Sequence, residues 1–77
     1  MTFGQKVRLR REELDCTQAE LANKIHTTQP YISRLERGNF NPSMNMIINI
    51  ATALRISIDY LLLDSDEKDI PNNRYFR

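Results

Sequence analysis

The sequence predicts an all-α fold, a compact bundle of five short helices. Apolar residues recur at helical spacing through most of the chain, cap-type residues stand before the apolar runs at Thr17, Thr28 and Ser57, and no segment alternates with a period of two for long enough to suggest a strand.

The first helix is expected from Thr2 to about Leu14. Phe3, Val7 and Leu14 share one side, and Lys6, Arg8, Glu12 and Glu13 are expected largely outside. Asp15 and Cys16 form a break. Thr17-Gln-Ala-Glu20 is then a capping-box sequence, in which the threonine hydroxyl accepts from the third helical amide while Glu20 reaches back to the threonine amide. The second helix starts there and ends near Ile25. After the short polar stretch His26-Thr27-Thr28, Thr28 caps a third helix with Pro30 in its first turn, where a missing amide hydrogen leaves no helical bond unmade. Ile32 and Leu35 form its apolar face, Gln29, Ser33, Arg34 and Arg37 its polar face, and Gly38 suits a left-handed end. Asn39 to Pro42 is a loop. A fourth helix follows from about Ser43, with Met44, Ile47, Ile50, Ala51 and Leu54 at helical spacing, and Ser57 caps a fifth that runs to about Leu63. Met44 and Met46 are expected to pack against other helices. Residues 64–77 are a polar tail, expected to begin disordered.

With 77 residues the chain has room for one domain, assigned to residues 1–63. The lone Cys16 can form no internal disulfide, and it has no second cysteine or neighbouring histidine with which to hold a metal, so a reducing compartment and no metal or other cofactor are expected. It reads as a small core residue, with redox sensing as the alternative. Apolar runs are only a few residues long, as at Leu61 to Leu63, so neither secretion nor membrane insertion is expected. Net charge is +1, but residues 1–55 carry eight Lys/Arg against five Asp/Glu whereas residues 56–77 carry three against five. The positive portion holds the second and third helices. No phosphate loop, metal-ligand spacing or nucleophile with a base argues for an enzyme, and so short a chain offers little volume for a substrate or small-molecule effector.

Two helices joined by about three residues meet steeply, at roughly 90 to 120°, so that the second stands proud of the bundle. Leu21, Ile25, Ile32 and Leu35 supply the apolar inner positions that this requires, and Ala22 the small contact between the helices. The segment TQAELANKIHTTQPYISRLERG resembles the helix-turn-helix of the Cro and lambdoid-phage-repressor type, the Xre family, and NPSMNMIINIATALRISIDYLL is similar to that family's fourth and fifth helices. The likeness covers about residues 3 to 63.

This resemblance implies a lambda-repressor-like fold and a cytoplasmic bacterial or phage regulator, most simply a repressor, that binds double-stranded DNA as a homodimer on a partly palindromic operator. It implies base reading by Gln29, Pro30, Ser33 and Arg34. Gln29 would pair with an adenine edge, Arg34 would grip guanine, and Pro30, at a position that often reads a base, would offer apolar contact alone. It implies phosphate contacts by Thr17, Gln18, Thr28, Tyr31, Arg37 and Asn39, with Gln18 also steadying its partner. Arg11 and Glu36 match a structural pair joining the first helix to the end of the third. Dimerisation is expected through the C-terminal region, where Leu61 to Leu63, Ile70, Tyr75 and Phe76 offer apolar surface.

The chain departs from the family pattern at His26 and Arg55, which stand where glycine is usual, and a left-handed backbone is expected at His26. For Gln29 and Arg34 the alternative is a solvated helix face. Tyr31 serves equally well as a packing residue. At the level of the whole chain, the alternative is a protein-interaction module or antitoxin-like adaptor on the same fold, motivated by the low net charge and acidic tail.

Overall fold

The computed structural model describes residues 1–63, and the readings made for the tail, Ile70, Tyr75 and Phe76 included, lie outside the described residues. Five helices follow in order: α1 (Phe3–Glu13), α2 (Gln18–Lys24), α3 (Gln29–Arg37), α4 (Met44–Leu54) and α5 (Ile58–Leu62). Each begins at a hydroxyl. Thr2, Thr17, Thr28, Ser43 and Ser57 all adopt extended backbone and accept a hydrogen bond from the third helical amide. At Thr2 and Thr17 the box closes reciprocally, through Gln5 and Glu20.

The helix ends share a device less visible in the sequence. In α1 to α4 the chain turns through a left-handed residue, at Asp15 (φ 54°), His26 (φ 60°), Gly38 (φ 81°) and Arg55 (φ 55°). The next amide then reaches back over the last turn: Cys16 N to Arg11 O, Thr27 N to Ala22 O, Asn39 N to Arg34 O and Ile56 N to Ala51 O, at 2.8–3.2 Å. These are Schellman closures, which satisfy carbonyls that the helices would otherwise leave open. Only one of the four uses glycine. The positive angle expected at His26 is present, and Asp15 and Arg55 adopt it as well.

The core gathers one face from every helix. Val7, Leu21, Ile32, Leu35, Ile50, Leu54, Ile56 and Leu61 are essentially inaccessible, and Cys16, Ala22, Ile25, Ala51 and Tyr60 complete the cluster. The close approach of α1 to α3 depends on Gly4: a β-carbon there would lie 2.5 Å from the Leu35 carbonyl oxygen and 2.6 Å from that of Glu36.

Four expectations are corrected. Lys6 is wholly buried rather than outside, its ammonium donating to the carbonyls of Tyr60 and Leu63 at the end of α5 and lying 4.8 Å from the centre of the Tyr60 ring. A lysine has enough methylene to cross an apolar contact and carry its charge to carbonyls beyond, so polarity alone misplaces it. Leu14 is 40% exposed because the helix ends at Glu13, one residue before it, and the turn carries its side chain off the buried face. Met44 is 57% exposed, since it occupies the first turn of α4 ahead of the point where that helix meets the bundle, whereas Met46 is half-buried against the core. Leu61 belongs to the core, so the apolar surface at the end of α5 is that of Leu62 and Leu63.

Candidate nucleic-acid interface

The junction of α2 and α3 is closed from inside by Leu21, Ala22, Ile25, Ile32 and Leu35, none more than 6% exposed. With that side of α3 sealed, its other side faces solvent. Gln29, Pro30, Arg34 and Arg37 are exposed, and Tyr31 and Ser33 are half-buried along the same helix. Thr17, Thr28 and Asn39 are exposed at the flanking helix ends, and Gln18 is half-buried at the start of α2. All ten residues expected to contact nucleic acid are therefore at least partly accessible, and they border α3 and the amino end of α2.

Local chemistry prepares several of them. The Thr17 and Thr28 hydroxyls accept from the amides of Glu20 (3.0 Å) and Tyr31 (3.3 Å), and a hydroxyl that accepts in this way, as at Thr28, keeps its own hydrogen to donate. At these two helix starts the first amides have no intrahelical acceptor and carry partial positive charge, although in α3 Pro30 has no amide hydrogen and the Tyr31 amide is taken by Thr28. Burial raises the Tyr31 phenol above its ordinary pKa of 10.0, with the Arg34 charge opposing in part. Tyr31 thus keeps its proton at neutral pH and can donate to an anion.

Polar side chains link this surface to the interior. Arg11 donates to Glu36 twice, from Nε to Oε2 at 2.7 Å and from Nη2 to Oε1 at 3.0 Å, and from Nη1 to the Cys16 carbonyl at 2.8 Å. Their side chains are 10% and 4% exposed, so the pair joining α1 to the end of α3 is buried. Hydrogen bonding and charge from Glu36, opposed by desolvation, raise the Arg11 pKa further above its ordinary value. Glu36 also accepts from Gln18 Nε2 at 3.0 Å, and Gln18 Oε1 accepts from Gln29 Nε2 at 2.6 Å.

One participant escaped the sequence reading. Phe40, in the loop after α3, meets the Tyr31 ring edge-on with centroids 5.0 Å apart, and the Arg34 guanidinium carbon lies 5.7 Å from the centre of its ring. Phe40 thereby limits the directions open to Arg34. The only signal in the sequence was an aromatic residue in an otherwise polar loop.

A family model described as helix-turn-helix matches residues 7–61. The chain is 34% identical over 62 residues to the immunity repressor protein of Bacillus phage phi105, covering 80% of this chain and 43% of that protein. It spans about half the length of the curated relatives it matches. Among solved structures, the P22 c2 repressor bound to a synthetic operator superposes with a TM-score of 0.79 at 31% identity, covering 84% of this chain and 98% of that one. SinR, a master regulator for biofilm formation, in complex with DNA gives 0.76 at 30% identity, covering 80% of this chain and 100% of that one.

Proposed function

Because this chain belongs to the helix-turn-helix family that its residues 7–61 match, we propose that it is a cytoplasmic transcription regulator, most simply a repressor, that binds double-stranded DNA sequence-specifically through α3. One observation carries the reading: α3 is sealed on its inner side by Ile32 and Leu35 and offers Gln29, Arg34 and Arg37 on the other. These are an amide and two guanidinium groups, the side chains whose donor and acceptor patterns match base edges and phosphates.

In this reading residues 1–63 are the DNA-binding domain. Gln29, Pro30, Ser33 and Arg34 face the bases, while Thr17, Gln18, Thr28, Tyr31, Arg37 and Asn39 hold the backbone. Arg11 and Glu36 act as scaffold. The domain works as a homodimer whose recognition helices sit about 34 Å apart, one turn of the groove. Support comes from Leu62 and Leu63, 48% and 45% exposed side by side at the end of α5, and from the small core of a single domain.

Selection of bound duplexes from a random pool, followed by fluorescence anisotropy at about 50 and 200 mM salt, tests the reading. Binding should weaken steeply with salt, and the selected sites should show related half-sites. Arg34→Ala should relax preference at particular base pairs, by about 1–3 kcal/mol, while Arg37→Ala should weaken all duplexes alike. Equal, sequence-independent losses from both variants would remove base reading from Arg34. No binding at low salt would reject the DNA function and leave this surface to a protein partner. A monomer in sedimentation at high micromolar concentration, with and without DNA, would reject the dimer.

A further inference from the structure

Two neighbouring glutamines can bond in either of two senses, since each amide has a donor end and an acceptor end. In this protein a third group chooses between them. Glu36 is held by two bonds from Arg11, one to each of its oxygens, so it is an ionised carboxylate that can only accept. Gln18 must therefore present its nitrogen to Glu36, at 3.0 Å, and its oxygen outward. Gln29 in turn must present its nitrogen to that oxygen, at 2.6 Å. One amide hydrogen and the oxygen of Gln29 are left for whatever approaches α3.

The geometry points to Glu36 as a positioning residue for sequence reading: anchored by Arg11, it sets the donor–acceptor sense of the Gln29 amide through Gln18. An outward donor beside an outward acceptor matches N7 and N6 of adenine. The opposite sense would turn an NH2 group outward with its oxygen occupied, which suits the two acceptors of guanine, N7 and O6. A buried ion pair thus acts on the choice between A·T and G·C at one base pair without touching DNA. This rests on the base-reading role proposed for Gln29, and the two can fail separately.

The test uses the selected duplex and variants of it in which the base pair whose preference Gln29→Ala abolishes is changed from A·T to G·C. Glu36→Gln, which can donate as well as accept, and Gln18→Leu, which cuts the chain but spares the ion pair, should each lower the A·T over G·C affinity ratio by about fivefold or more, the low end of what a bidentate pair confers. Their effects on that ratio should not add, because both act through one chain of bonds. Loss of a phosphate contact alone would lower both affinities and leave the ratio unchanged. An unchanged ratio in folded Glu36→Gln or in Gln18→Leu overturns the proposal. Gln29→Ala leaving every base preference intact would instead defeat the base-reading role, and the free protein then decides the orienting one. In ¹⁵N-labelled chain, the Gln18 side-chain amide should show slowed hydrogen exchange and one proton shifted downfield by the carboxylate. An amide doublet like that of a freely solvated glutamine would overturn it, and this measurement stands whether or not Glu36→Gln folds.

Discussion

Replacing Arg11 with methionine should remove most of this protein's stability, although it keeps a side chain of similar reach. Three hydrogen bonds disappear at once, two to Glu36 and one to the Cys16 carbonyl. The carboxylate left behind has a side chain only 4% exposed, and its remaining side-chain donor is Gln18. Stranding one member of a buried pair costs about 3–5 kcal/mol. A single core of this size supplies about the same total, roughly 3–5 kcal/mol. The variant should therefore be largely unfolded at 25 °C, as read by circular dichroism along a urea titration. Arg11→Met combined with Glu36→Leu should recover stability to within about 1–2 kcal/mol of the parent, because an apolar pair avoids the desolvation of both charges. A single variant that loses less than about 1 kcal/mol, or a double variant no better than the single, would refute the view that an uncompensated buried charge is the cause.

Acid should weaken the amino end of α2. Glu20 accepts from the Thr17 amide at 2.8 Å, and this bond, with a smaller contribution from the Thr17 hydroxyl and from Lys24, lowers its pKa below the ordinary 4.5. A depressed folded-state value means that the stabilisation is fully present above the unfolded value and disappears as pH falls through the folded one. Glu20→Gln, which retains the acceptor but does not titrate, should flatten the loss of stability below about pH 4.5; an unaltered pH profile counts against this cap as its source. Arg55→Gly should raise the melting temperature by about 3 °C, since a left-handed non-glycine residue costs roughly 1–2 kcal/mol and the flexibility of glycine returns part of that; a lower melting temperature would show that Arg55 is not strained. Phe40→Leu should reduce the base preference attributed to Arg34 by about threefold, an effect of about 0.5–1 kcal/mol for an exposed cation–aromatic contact. Phe40→Tyr should restore it, and equal binding by both variants would separate Arg34 from the ring.

The helix starts and inner faces were legible in the sequence because both depend on short-range rules. A hydroxyl beside a helical run caps it wherever it occurs, and Leu21, Ile25, Ile32 and Leu35 declare one face by their spacing. The outward residues of α3 followed from the same periodicity, and their roles came from the resemblance. Hydrogen bonds between distant residues were not legible. Nothing near Lys6 in the chain announces carbonyls more than fifty residues later, so its polarity pointed outward while the fold enclosed it. The left-handed turns at Asp15 and Arg55 likewise carry no glycine to mark them, and Phe40 gained its position beside Arg34 only when the loop folded back on α3. Sequence by itself determined which segments become helices and which face each buries, because those choices are made among neighbours a few residues apart. The tertiary structure alone decided which distant groups meet, including the run from Arg11 through Glu36 and Gln18 to Gln29, because packing three helices together is what brings those side chains within hydrogen-bond reach.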